Sequence, residues 1–201
     1  IQLREQLILH ARKLHEQRAK TARLIAQQIS AELIPLGMNS ARFEIRIDFR
    51  YSAQGLEIGE EQAVAFGPDG ADEIDFLIAT IPDRPLKPLK EVASGGEISR
   101  IMLAIKCIFG KADAVPLMVF DEIDVGVGGR TADTVAERLA RLSEEKQVLC
   151  ITHFPQVAKQ ADHHIQIAKI ERDGRTITQV TPLASEERDH ELARMAGFAT
   201  V

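Results

Sequence analysis

At 201 residues with 45% hydrophobic composition, the chain is long enough for one fair-sized domain plus an extension and too apolar to stay disordered. The absence of Trp and the single Tyr argue against an aromatic platform for stacking single-stranded bases, and no apolar run approaches a membrane span. The net charge of −5 is unevenly placed: Arg4, Arg12, Lys13, Arg18, Lys20 and Arg23 against Glu5 and Glu16 give residues 1–30 a local +4, leaving −9 on the rest.

A basic helix on an acidic body suits contact with phosphate backbones; a solvated helix face accounts for the same charges. Cys107 and Cys150 lie in apolar stretches without metal-ligand spacing, which reads as small buried residues of a reducing compartment. No signal peptide is present and the chain opens on Ile1, so it is expected to be a segment of a longer protein.

The first expected element is one long helix over residues 1–36. Apolar residues at 3, 7, 11, 14, 22, 25, 29, 33 and 36 form a single stripe, and no Gly or Pro interrupts before Pro35. A narrow seam on so long a helix fits one strand of a coiled coil; an amphipathic helix lying on its own domain is the alternative. Phe43, Ile45, Ile47 and Phe49 then alternate with Glu44, Arg46 and Asp48, a strand with one buried face. Residues 56–66 and 73–81 are further strand candidates around the Gly67-Pro68-Asp69-Gly70 turn, suggesting a small antiparallel sheet.

Beyond the proline-rich stretch 82–88 the pattern changes. A helix over about 96–109, the apolar strand 117–120, a helix near 131–143 and the apolar strand 148–152 make a strand–helix–strand unit of the parallel α/β kind. Residues 165–170 and 176–181 flank the hairpin turn Asp173-Gly174, and a last helix is expected over 185–196.

Three motifs carry chemistry. Leu117-Met118-Val119-Phe120 is a buried strand that ends in Asp121-Glu122. Ligands bind at that end of an open α/β sheet, where one carboxylate can hold Mg²⁺ and the next can polarise a water for attack on a γ-phosphate. Ser94-Gly95-Gly96-Glu97 leads into an apolar helix. Its hydroxyl, glycines and free N–H groups form an anion-binding geometry, although Ser94 and Glu97 also fit a plain capping box. His153 ends the next apolar strand and can approach the same sheet edge. No G-x-x-x-x-G-K-[ST] occurs: Gly110-Lys111 precedes Ala112, and position 105 is Ile. His163-His164 lack partners at zinc-like spacing and are assigned no metal.

Signature, Walker B and switch His in this order resemble the C-terminal half of an ABC-type ATPase head. SGGE, DEID, and the longer runs SGGEISRIMLAIK, VFDEIDVGVGGRTA and THFPQVA are similar to the SMC and Rad50 branch, and within it to a bacterial DNA-repair ATPase. The resemblance spans roughly residue 40 to the C-terminus, with residues 1–36 fitting the returning coiled-coil arm and 37–201 the C-terminal lobe of the head. It implies a parallel sheet flanked by helices plus a smaller antiparallel sheet. It also implies ATP and Mg²⁺ as cofactors, Asp121 near Mg²⁺, Glu122 as general base and His153 as γ-phosphate sensor. Ser94, Gly95, Gly96 and Glu97 would contact the nucleotide of an opposed head.

The implied partners are the protein's own N-terminal Walker A segment, a second copy joined through ATP-bound heads, and DNA. The implied setting is double-strand-break repair on the bacterial nucleoid in the cytoplasm, without a membrane. One departure is Gly128, where the wider SMC pattern often has Asp. A transporter nucleotide-binding domain shares the three motifs but should carry a contiguous Walker A and no long basic helix. A non-catalytic interaction module is disfavoured by the intact Asp121 and Glu122.

Overall fold

A computed structural model describes residues 2–57, 63–92, 94–110, 112–172 and 174–198. Ala93, Lys111, Asp173 and residues 58–62, inside the expected strand 56–66, lie outside this set. The chain divides into two compact units, 1–93 and 94–201.

The first unit is a long helix on a small antiparallel sheet. Helix α1 (Gln2–Leu33) ends where Pro35 removes a backbone donor, and Gly37 takes the left-handed conformation that closes it. Ala22, Ala26, Ile29 and Leu33, spaced four and three apart, are buried, and Leu36 continues the row. The helix lies against β1 (Arg42–Phe49). In the same unit are β2 (Tyr51–Glu57), β3 (Ala63–Val64), β4 (Asp72–Ala79), β5 (Lys87–Pro88) and a 3₁₀ turn, Leu89–Glu91. Strands β1, β4 and β5 form one antiparallel sheet, with Phe43 opposite Ile78 and Ile45 opposite Phe76; β2 pairs with β3. The alternating residues of β1 thus share an inner face, as their spacing predicts. The strand at 51–57 is not among the expected elements.

The two alternatives for α1 divide along its length. Ala11, together with Val64 and Ala71, belongs to a small core, and Leu14 lies over Gly70, whose φ of +102° a side chain would strain. From Ala11 onward the helix therefore lies on its own unit. Leu3 and Leu7 at its start are 82% and 42% exposed, so the apolar stripe is uncovered over the first turns.

An ionic cluster ties helix to sheet. The side chain of Asp72 is 1% exposed and accepts from Arg18 Nη1 at 2.8 Å, while His15 Nδ1 stands 2.7 Å from its other oxygen. Arg18 also donates to the Asp69 carbonyl, and the His15 ring stacks on Phe49 with centroids 4.2 Å apart.

The second unit follows the expected strand–helix–strand order. It comprises α2 (Gly95–Phe109), β6 (Leu117–Phe120), α3 (Arg130–Ser143), β7 (Gln147–Cys150), α4 (Pro155–Lys159), β8 (Ile165–Arg172), β9 (Arg175–Pro182) and α5 (Ser185–Met195). Strands β6 and β7 are parallel, with Met118 opposite Val148 and Phe120 opposite Cys150. Helix α3 packs Ala132, Val135, Ala136, Leu139 and Leu142 inward. The hairpin β8–β9 keeps full register through Arg172↔Arg175, turning at Gly174 with φ +71°. The short helix α4 has no counterpart among the expected elements; Arg188 caps its end by donating to the carbonyls of Ala158, Lys159 and Ala161.

One sequence expectation is corrected here. Fully apolar strands predict burial on both faces, but Met118 and Phe120 are buried while Leu117 and Val119 are 46% and 58% exposed. Leu149 and Ile151, which continue that face, are 48% and 51% exposed. Parallel strands normally bury both faces; in this unit α3 packs on β7, and the other face stays open.

Candidate functional site

The C-terminal end of β6 and the N-terminus of α2 meet. Ser94 caps α2 by accepting the Glu97 N–H at 3.4 Å, the capping role its sequence allows. Gly95 lies directly against the Glu122 carboxylate, where a side-chain carbon at position 95 would collide. A carbon at position 96 would come within 2.9 Å of the Val125 carbonyl oxygen and 3.0 Å of that of Glu122. Gly96 is thus fixed by close backbone approach, whereas Gly95 faces a side chain. The Glu122 carboxylate beside the helix start is favoured by the α2 dipole.

Asp121 and Glu122 are both exposed at the strand end. The Glu122 N–H donates to Asp121 Oδ1 at 2.8 Å, and Glu122 has φ +56°. A positive φ in a long-chain residue is uncommon and concentrates at functional sites. Two side chains from α2 hold the turn that follows. The Ser99 hydroxyl donates to the Asp121 carbonyl at 2.6 Å, and Arg100 Nη1 donates to the carbonyls of Val125 at 2.8 Å and Ile123 at 3.3 Å. Burial pushes the Arg100 guanidinium below its ordinary pKa, opposed by the charge of Glu97.

His153 joins the group from the end of β7. Its side chain is 70% exposed, and its Nδ1 stands 3.3 Å from Asp124 Oδ2, a carboxylate only 2% exposed. The same oxygen accepts the Thr152 hydroxyl and the His153 N–H. Cys150, at the end of β7, has its thiol pushed up to about 12, first by burial and then by the charges of Asp124 and Asp121; it is a neutral thiol at ordinary pH.

Ser94–Glu97, Asp121, Glu122 and His153 therefore gather at one end of the second unit. Sequence reading alone misses Ser99, Arg100, Asp124 and Thr152. Arg100 stands in plain view four residues after Gly96, on the buried face of an apolar helix, where a guanidinium must find carbonyls. Asp124 has only its place two residues after Glu122 as a signal.

Open carboxylates at a strand end suit Mg²⁺, which is normally held by one or two carboxylates plus substrate phosphates and not by an all-protein cage. Among the described residues no group of three or more His, Cys, Asp or Glu side chains forms such a cage. No helix of the described residues is long and apolar enough to cross a membrane.

This architecture has the fold of the Smc head domains. The Smc head domain with a coiled coil and joint from Pyrococcus yayanosii matches with a TM-score of 0.55 at 20% identity, covering 88% of this chain and 30% of that one. The Smc head domain with an extended coiled coil from Pyrococcus furiosus, bound to the C-terminal domain of ScpA, matches at 0.51 and 20% identity, covering 86% of this chain and 37% of that one.

By sequence the chain is similar to RecN. The chain is 42% identical over 193 residues to the DNA repair protein RecN of Streptomyces coelicolor, covering 96% of this chain and 34% of that protein. RecN of Bacillus subtilis is 45% identical over 176 residues, covering 87% and 31%, and RecN of Vibrio cholerae 38% over 199 residues, covering 99% and 34%. No family model matches the chain. It is RecN-like along nearly its whole length and spans about a third of the length of the curated relatives it matches.

Proposed function

We propose that this chain forms the C-terminal part of the head of a RecN-like ATPase that acts in DNA double-strand-break repair. The observation that carries this reading is the meeting of the SGGE helix start with the Asp-Glu strand end and His153, on a chain this similar to RecN. In the proposed cycle Asp121 would hold Mg²⁺, which when bound would neutralise charge on the phosphates. Glu122 takes the proton of the attacking water, and His153 contacts the γ-phosphate. Ser94, Gly95, Gly96 and Glu97 present N–H groups to the nucleotide of an opposed head. ATP clamps two heads together and hydrolysis releases them. Residues 1–36 belong to a coiled-coil arm and residues 37–201 act as the C-terminal lobe, and the protein works on the nucleoid in the cytoplasm.

An N-terminal Walker A segment of the same protein completes the site. Two observations support it: the open apolar face of Leu117, Val119, Leu149 and Ile151, and the two-thirds of each RecN relative that this chain does not span. An open cleft of about 300 Å³ beside that face, lined by Ile98, Met102, Leu117 and Val119 among others, gives it depth. The 201-residue chain alone should show no ATP hydrolysis, and adding the Walker A segment should restore it. Hydrolysis by the chain alone, measured by phosphate release, overturns the half-site reading.

A further inference from the structure

Asp124 stands apart from the other carboxylates of the site. Asp121 and Glu122 are exposed, whereas the Asp124 side chain is 2% exposed. Burying a carboxylate costs several kcal/mol unless donors compensate it, so the donors reveal what it holds. Those of its Oδ2 come from one dipeptide, the Thr152 hydroxyl and the His153 N–H at 3.0 Å, and His153 Nδ1 lies 3.3 Å from the same oxygen. Thr152 in turn accepts the Phe154 N–H at 3.0 Å, at the residue that caps α4. The turn that carries Asp124 is itself fixed, through Val125 N–H to the Glu122 carbonyl and through Ser99 and Arg100 on α2.

An exposed histidine at the end of a strand rotates freely about two side-chain bonds. A buried carboxylate 3.3 Å from Nδ1 favours hydrogen on that nitrogen. It restricts the ring to one orientation and leaves Nε2 as the nitrogen available to a ligand. The Phe154 ring, 4.5 Å from the imidazole centroid to centroid, bounds it further. We propose that Asp124 is the positioning residue for His153: the carboxylate references the imidazole to the Asp121-Glu122 turn, so that the phosphate-facing nitrogen and the proton acceptor keep a fixed relation. This rests on the reading of His153 as γ-phosphate sensor.

The test is a double-mutant cycle on ATP hydrolysis by the full-length protein, comparing wild type, Asp124→Asn, His153→Ala and the pair. Loss of an orienting partner typically costs about 10–100-fold. Asp124→Asn should therefore lower kcat by that factor while KM for ATP changes less than about threefold. Adding it to His153→Ala should cost nothing further, because the residue acts only through the imidazole. Wild-type kcat in Asp124→Asn overturns the proposal. So does a double variant whose deficit is the product of the two single effects, the mark of a merely structural carboxylate. Wild-type turnover in His153→Ala would instead refute the sensor reading beneath it. If thermal melting shows Asp124→Asn unfolded, Asp124→Glu, which keeps the charge but displaces it, carries the same cycle with the same expected pattern.

Discussion

Each unit contains one buried aspartate among its described residues, and the two are partnered differently. In the first unit Asp72 meets the permanent cation Arg18 and the ring of His15, both on α1. These partners lie 54 and 57 residues away in the chain, so the cluster joins a helix to a sheet within that unit. In the second unit the Asp124 oxygen is met by a hydroxyl, a backbone N–H and a histidine, all at the end of β7. A fixed cation beside a buried carboxylate makes a strut. The Asp124 carboxylate has no such fixed cation against it, only a hydroxyl, a backbone N–H and an exposed imidazole. Changes in the first unit should therefore register in stability, and changes around the strand end in turnover.

The largest expected effect is at Glu122. Glu122→Gln, in the protein completed by its Walker A segment, should keep ATP binding and lose about 10²–10⁴-fold in turnover. The melting temperature should stay near wild type, because the side chain is exposed. Unchanged turnover in a steady-state assay removes Glu122 from the chemistry. The counterpart in the first unit is Asp72→Ala. It breaks charge-assisted hydrogen bonds worth about 1.5–3 kcal/mol, and the part-exposed Arg18 recovers some of that in water. The expected destabilisation is about 2 kcal/mol in denaturant unfolding, with kcat per folded molecule altered far less than in Glu122→Gln. A catalytic deficit in Asp72→Ala as large as that of Glu122→Gln would erase the contrast between the units.

Gly96→Ala probes the joint between helix start and strand end. The added carbon would come within 3.0 Å of two backbone carbonyls, which cannot swing aside as a side chain does. Overpacking of this kind costs about 1–3 kcal/mol. Gly95→Ala meets only the flexible Glu122 carboxylate and should cost less stability while disturbing Glu122. A melt that ranks Gly95→Ala as the more destabilising change contradicts the packing described for this joint.

Much of this is legible in the sequence because it rests on local pattern. The period-two alternation of Phe43 to Phe49 and the apolar tetrad Leu117–Phe120 mark β1 and β6, and Ser94 with Glu97 marks the start of α2. What stays hidden depends on approaches between distant residues. Tyr51–Glu57 lacks a clear alternation and is a strand only through its pairing with β3. The five-residue α4 is too short for a periodic signal. Nothing local marks Asp124 as buried, since its burial follows from Thr152 and His153 arriving 28 and 29 residues later. The open face of β6 and β7 cannot be read from apolar strands, which look alike whether one face or two are covered.

The smallest effect sharpens the comparison within α1 itself. The sequence presents its basic stretch as one surface, and the structure separates it. Arg18 is committed to Asp72 and to the Asp69 carbonyl, whereas Arg12, Lys13, Lys20 and Arg23 are exposed. If α1 binds DNA, these four and the exposed Arg4 supply the electrostatic attraction and Arg18 does not. Neutralising them one at a time should lower the slope of log affinity against log salt by about one for each phosphate that is no longer neutralised, with unfolding midpoints nearly unchanged. Arg18→Gln should do the reverse, leaving the slope intact while lowering stability, because its charge serves the strut. A slope unaltered by removal of all five exposed cations leaves the helix face merely solvated. A slope that falls only with Arg18→Gln means the Asp72 cluster opens when DNA binds, and the strut would then be a moving part.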